Sequence, residues 1–323
     1  STATTTPAST SPTPTSPSSP QPASSAATLL IVGSLYDASQ LNGANSVAVS
    51  GNYAYVAAYE ANRLTAVDVS NKAAPVIAGS VYDATKLANP YAVAVAGVYA
   101  YVASHTGDRL TIVDISDPRS PRITGSVYDA TKLDGPWSVA VAGNYAYVGL
   151  WSNRFTVVDI SNPANPVVVS SLLDPTRFAG VKSVSVSGNY AYAGLYYRDY
   201  LTVINISNPV APYIAGTTDL RVGTEYVGTN TTIGMSNGGV SVAGQYAYMV
   251  GSKRLTVVDI SNPLSPRVAG WSASWDGYKV YPDPSAQFTS PLSIIVSGQY
   301  GYTAASAYFG WPRWGERASG SGT

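Results

Sequence analysis

The chain has 323 residues, of which 18 are basic and 18 acidic, so its formal net charge is zero and charged residues make up only 11% of it. That balance argues against a nucleic-acid or anionic-membrane surface, both of which need a basic face. No cysteine is present, which excludes disulfides and thiol chemistry, and no apolar run approaches the ~20 residues of a membrane-spanning helix.

Residues 1–27 consist only of Ser, Thr, Pro, Ala and one Gln. Such a segment has no large apolar side chain whose burial would offset its ordering entropy, so an extended tail is expected. In polyproline geometry, at about 3.1 Å per residue, it would reach roughly 80 Å, enough to cross an adjacent subunit. Its β-branched run Thr4, Thr5 and Thr6 is strand-compatible. Those residues, with Thr10, Thr13 and Thr15, stand in a Ser/Thr/Pro context that suits O-glycosylation. A first residue of Ser rather than Met, together with the absence of cysteine, leads us to expect a processed extracellular or cell-surface protein.

Next come residues 28–36, Thr-Leu-Leu-Ile-Val-Gly-Ser-Leu-Tyr, which match the later segment Val-Ile-Ala-Gly-Ser-Val-Tyr at 76–82. From there the chain repeats itself. Gly-Asn-Tyr-Ala-Tyr or a close variant begins at Gly51, Gly97, Gly143, Gly188, Gly244 and Gly298, at spacings of 46, 46, 45, 56 and 54 residues. This is the length of four short strands with their turns, the period of a propeller blade. In the second repeat, Ala92 to Ala96 is strand A and Tyr99 to Ser104 strand B, joined through a two-residue turn led by Gly97. Strand C is Arg109 to Ile115, and strand D is Arg122 to Tyr128. A proline at or just before strand D (Pro75, Pro121, Pro166, Pro212, Pro266) suits an outer edge, where a missing N–H breaks no ladder.

A lone strand D, five complete A-B-C-D sets and a final A–B pair at 293–303 predict an all-β, six-bladed propeller of four-stranded antiparallel blades. The N-terminal strand would close the ring. The domain plan is therefore tail 1–27, propeller 28–303, and a segment 304–323 that completes or flanks the sixth blade. That last segment contains Trp311-Pro312-Arg313-Trp314 where a strand C is due, so the slot is filled either by a degenerate strand or by a strand from a neighbour.

The strand C block, Arg-Leu-Thr-Val-Val-Asp-Ile-Ser-Asn-Pro, begins at Arg63, Arg109, Arg154, Tyr200 and Arg254. In Leu110 to Pro118, Phe155 to Pro163 and Leu255 to Pro263 it resembles the LVIVD repeat family of bacterial and archaeal surface proteins. The resemblance covers roughly residues 28–303 and implies a β-propeller, an extracellular setting and no defined reaction.

Two Asn-x-Ser/Thr sequons are present, at Asn205 and Asn230, and Asn230 lies in a Gly-rich insertion suited to a glycan. Asn205 replaces the aspartate of Asp68, Asp114, Asp159 and Asp259, and in the same blade Tyr200 replaces the recurrent arginine. The joint loss suggests that strand C's Arg and Asp share one electrostatic network. The Tyr-x-Tyr pairs of strand B, such as Tyr53 and Tyr55, read as packing against the next blade. Outside the repeat pattern, aromatics concentrate in two long D-to-A connections, 217–239 and 271–291. There Trp271, Trp275, Tyr278, Tyr281 and Tyr226 are candidates for contacting a partner or sugar on one face of the disc.

Catalytic chemistry has few resources. His105 is the only histidine and reads as a solvated loop residue, so neither a Ser-His-Asp triad nor a multi-histidine metal site can be assembled. Asp37, Asp83 and Asp129 recur once per blade and read as caps of the turns that follow, too dispersed for calcium. Among Glu60, Glu225, Asp276 and Asp283 nothing selects a carboxylate pair. The expectation is a non-enzymatic extracellular structural protein without cofactor. It would be a glycosylated subunit of a surface layer or filament, self-assembling through its tail. An adhesin or lectin-like propeller is the alternative, and a glycan-active enzyme the third reading.

Overall fold

The computed structural model describes residues 31–220, 239–251, 255–271, 291–297 and 300–305. The chain divides into two units, Ser1–Val32 and Gly33–Thr323. Of the first only Ile31 and Val32 are described, both exposed on irregular backbone. The second contains every described strand.

Five four-stranded antiparallel sheets follow one another along the chain. The first comprises β1 (Ala44–Ser50), β2 (Tyr53–Ala58), β3 (Arg63–Asp68) and β4 (Val76–Tyr82). The second comprises β5 (Pro90–Ala96), β6 (Tyr99–Ser104), β7 (Arg109–Asp114) and β8 (Arg122–Tyr128). The third runs through β9 (Pro136–Ala142), β10 (Tyr145–Leu150), β11 (Arg154–Asp159) and β12 (Val167–Leu173). The fourth is β13 (Val181–Ser187), β14 (Tyr190–Leu195), β15 (Tyr200–Asn205) and β16 (Tyr213–Asp219). The fifth is β17 (Gly239–Ala243), β18 (Tyr246–Val250), β19 (Leu255–Asp259) and β20 (Arg267–Trp271), and a two-stranded sheet of β21 (Pro291–Ser297) and β22 (Tyr300–Ala305) ends the series. Within each sheet the strands lie in chain order, so the proline-preceded strand D is the outer edge, as its missing N–H requires. First strands of consecutive sheets lie side by side and form the inner rim.

The core sits between sheets. Tyr55 of β2 packs with Leu87, Val93 and Val102 of the next blade, and Tyr101, Tyr147 and Tyr192 repeat the arrangement at the following junctions. In the first four blades the second tyrosine of the pair is thus core, while the first is less deeply placed at the hairpin end. Further staples are polar. Thr65, Thr111, Thr156 and Thr202 of the C strands donate Oγ–H to the carbonyls of Gln40, Lys86, Lys132 and Arg177 in the connections that precede their blades. Asn62, Asp108 and Asn153, all at positive φ, accept from the amides of Asn89, Gly135 and Gly180 just before the next blade's strand A. Thr111 is fully buried, and Thr111→Val leaves the Lys86 carbonyl with Ser104 Oγ as its remaining side-chain donor and removes the Thr111–Ser126 hydroxyl contact. An expected loss of about 1–2 kcal/mol would be read from the urea midpoint.

The Asp-led turns form as the repeats predict: Asp83 Oδ1 accepts from the amides of Thr85 and Lys86, and Asp37, Asp129 and Asp174 do the same in their loops. The shared Arg–Asp network of strand C, by contrast, is corrected. Asp68, Asp114, Asp159 and Asp259 cap the serine amide two residues on, whereas Arg63 and Arg109 lie 5.0 and 4.7 Å over the rings of Tyr82 and Tyr128 on strand D. Asn205 keeps the capping role with a neutral oxygen, accepting from Ser207 N and Oγ, so its replacement needs no link to Tyr200.

The expected N-terminal strand differs too: Gly33 to Asp37 is irregular, and the segment due to supply the sixth C strand, after Ala305, lies outside the described residues. Yet Gly33 occupies a recurrent place. A Cβ at Gly79, Gly125 or Gly216 would lie within 3.0 Å of the backbone of the next blade's C–D turn at Arg119, Pro163 or Pro263, and at Gly33 it would meet Lys72 and Ala73 of the first blade's turn likewise. The first blade also has an uncovered side. Val47 and Val49 of β1 are 60% and 64% exposed, whereas Val93, Val184 and Val240, which match Val47, are 7%, 9% and 6% exposed against the preceding blade.

Candidate functional site

The end of the disc where A strands begin and B strands finish gathers a run of touching aromatic side chains. Two local features put them there. The A strands of the first four blades open with a β-bulge, which β17 lacks: Pro90 faces Ser104 and Ala92 faces Ala103, leaving Tyr91 unpaired, and Asn45, Trp137 and Lys182 are the matching extra residues. A bulge re-aims the side chain it carries, which strand alternation alone would point elsewhere. The residue just after each B strand (Tyr59, His105, Trp151, Tyr196) is pinned by its own amide, which donates to the carbonyl immediately before strand A at Gly43, Asn89, Gly135 and Gly180.

Together these positions make a continuous girdle across four blades. Ring centroids step from Tyr59 to Tyr91 (6.0 Å), to Trp137 (6.1 Å), to Trp151 (4.6 Å) and on to Tyr197 (5.3 Å). Tyr196 closes on Trp137 at 5.3 Å. Most of the close pairs are T-shaped, which sets a positive ring edge against a negative ring face. Lys182 enters the girdle, its ammonium 4.3 Å from the Tyr91 ring centroid and 4.8 Å from that of Trp137, and it donates to Tyr91 Oη. Burial holds the Lys182 pKa down at about 8 and pushes the Tyr91 phenol up. His105 is half-buried between Tyr91 and Trp137, which corrects its reading as a solvated loop residue. Burial drives its pKa down; carbonyls of Gly135 and Pro136 and the charge of Asp108 oppose, and Lys182 adds to the fall. The buried atoms His105 Nδ1 and Ser138 Oγ, the latter on the residue after Trp137, have no hydrogen-bond partner among the described residues.

Beside the girdle an open cleft of about 570 Å³ is lined by Trp151, Asn153, Pro175, Ala179, Tyr197 and Arg198. Trp151 and Tyr197 are 45% and 46% exposed, and Arg198 is exposed with no ion pair among the described residues. Asn153 spends its Oδ1 on Gly180 N.

Of the residues the sequence nominates for binding, Trp271 ends β20, half-exposed and apart from the girdle. Trp275, Tyr278, Tyr281 and Tyr226 lie outside the described residues, as do Asn230, the tail threonines Thr4 to Thr15, and Glu225, Asp276 and Asp283. Glu60 stands in the first B–C connection, and the sequon residue Asn205 ends strand C with its Oδ1 accepting from the Ser207 amide. The girdle itself is absent from that nomination, although aligned repeats carry its signal: the position after strand B reads Tyr, His, Trp, Tyr in successive blades. Among the described residues no three His, Cys, Asp or Glu side chains group to hold a metal, and no helix is long and apolar enough to cross a membrane.

Repeated four-stranded sheets with inner first strands, outer fourth strands and an aromatic end face define a β-propeller. The particular lineage is given by the repeats: the LVIVD repeat model matches residues 43–83, 91–129, 136–174, 180–219 and 234–271, and the chain belongs to that family. Among solved structures it is similar to a putative 6-phosphogluconolactonase from Bacteroides uniformis (13% identity, 80% of this chain and 77% of that one, TM-score 0.61). It is also similar to the Swd1 β-propeller domain from Myceliophteria thermophila (12%, 78% and 76%, 0.54) and to Sqt1 from Saccharomyces cerevisiae (8%, 82% and 80%, 0.55). At such identities the likeness is one of fold. No curated protein matches the chain.

Proposed function

We propose that the chain is a non-enzymatic, extracellular binding propeller of six blades that takes its partner on the aromatic end face. Of the readings open from sequence, the tail-driven assembly rests on residues outside those described, and so do four of the five aromatics nominated for the lectin-like one; binding is favoured here by the girdle, which the sequence did not nominate. The observation that carries it is the bulge at the head of strand A in three consecutive blades: the same backbone irregularity brings Tyr91, Trp137 and Lys182 to one mouth. Trp137 is buried and Tyr91 half-buried beneath the face, whereas Trp151 and Tyr197, set just after the B strands, keep nearly half their area open, more than sealing the ring alone requires. Support for a six-bladed ring closed by residues 28–36 comes from Gly33, which abuts the first blade's C–D turn as a strand D glycine does, and from the bare Val47 and Val49, which call for a preceding blade.

Oxidative footprinting of the full chain mixed with purified surface polysaccharides tests the binding reading. Protection concentrated on Trp151, Tyr197 and Tyr59 is expected; protection confined to Trp271, or none with any polysaccharide, would remove it.

A further inference from the structure

The cleft beside the girdle has a composition that specifies its occupant more closely. We infer that it is a subsite for an anionic saccharide, one pyranose seated in the corner of Trp151 and Tyr197 with its carboxylate or sulfate on Arg198; this rests on the binding reading above. The two rings stand 5.3 Å apart at 74°, one forming a wall and the other a floor. A pyranose offers an apolar C–H face to one ring while its hydroxyls remain in water, which suits an open cleft better than it suits a lipid or a wholly apolar ligand, since those gain from enclosure. The volume, about 570 Å³, falls inside the range of about 300–1,000 Å³ common to small-molecule sites.

Charge sets the class of sugar. Arg198 is the one charged side chain among the described residues lining the cleft, and no acid among the described residues pairs with it, so the planar guanidinium is available for a bidentate grip on an anion. Nearby Arg177 is committed to Asp174 at 2.7 Å and is not an alternative donor. With Asn153 Oδ1 held by Gly180 N, that side chain has only its amide N–H groups left to offer, which again fits an oxygen-rich acceptor. Behind the wall, the Lys182 ammonium over Trp137 adds positive potential from the channel side.

Calorimetric titration of the full chain with trigalacturonic acid, a sulfated galactotriose and neutral galactotriose tests this. One or both charged probes should bind about tenfold or more tightly than the neutral one, with an affinity that falls as salt rises. Trp151→Ala and Tyr197→Ala should each abolish measurable binding in a chain that still unfolds in one cooperative transition, while Trp151→Phe retains part of it. Arg198→Ala should reduce the charged probe to the neutral level. Comparison of the two charged arms assigns carboxylate or sulfate. Equal affinity for galactotriose, insensitive to Arg198→Ala, overturns the anionic assignment and leaves a binding face; binding that survives Trp151→Ala and Tyr197→Ala overturns the cleft; no binding of any probe overturns the saccharide subsite, and the footprint decides separately whether the face binds at all.

Discussion

Gly33→Val is expected to destabilise the protein as much as Gly79→Val or Gly125→Val, each by about 2–4 kcal/mol, because each side chain would be driven into a backbone carbonyl rather than into a yielding side chain. At Gly79 the obstacle is the turn at Pro118 and Arg119, at Gly125 the turn at Pro163 and Ala164, and at Gly33 the turn at Lys72 and Ala73. The first two lie between consecutive blades, where the spacing is set by the tyrosine-centred cores. Gly33 has the same contact without a described strand beneath it, so an equal loss would mean that the N-terminal segment is fixed against the first blade by the rest of a closing sheet. A loss under about 0.5 kcal/mol, the scale of an ordinary surface substitution, would mean that it merely lies there. The cysteine-free sequence supplies a second measurement. A Val47→Cys, Tyr302→Cys double variant treated with a short bismaleimide should link within one chain if the sixth blade seats on β1. A link between chains would transfer the uncovered valines to a second copy and dispose of the six-bladed ring.

What the sequence makes legible follows from how local each cause is. Period, strand order and the outer edge can be read because glycine turns, alternation and proline act within a few residues, and the Asp-led turns because a side chain reaches only two or three residues on. The girdle depends on a register slip in strand A relative to strand B, which leaves no mark in a period-two pattern: Tyr91 and Trp137 sit where alternation alone would not bring them together with Tyr59 or Trp151. His105 reads as solvated because its cover comes from neighbouring A strands, not from its own loop. The Arg–Asp network fails for the opposite reason. Two losses in one blade suggest a shared cause, but the arginine works on a strand D ring and the aspartate on a local amide, and chain proximity hides that separation.

Lys182→Met should raise stability at pH 7, because the girdle holds its ammonium at a cost. Burial lowers the pKa from 10.5 to about 8, and at about 1.4 kcal/mol per unit this corresponds to roughly 3 kcal/mol against the charged native form. Tyr91 and Trp137 return part of that through their ring faces, at about 1–2 kcal/mol for a desolvated cation, so a net gain of about 1–2 kcal/mol is expected on replacing the charge by a thioether that packs well on aromatics. The sign with pH is set by the depressed native value. Below pH 8 both folded and unfolded chains carry the proton and the penalty is constant. Between about 8 and 10.5 the unfolded chain binds more protons than the native one, so wild-type stability climbs with pH relative to the methionine variant, and their difference should shrink or reverse by pH 10. Paired urea titrations at pH 7 and pH 10 measure this directly. A variant less stable than wild type at pH 7 would mean that the rings more than repay desolvation and that Lys182 is structural. A variant more stable at pH 7 but weaker in binding anionic saccharides would mark the cation as a charge that the mouth retains for its ligand at the expense of the fold.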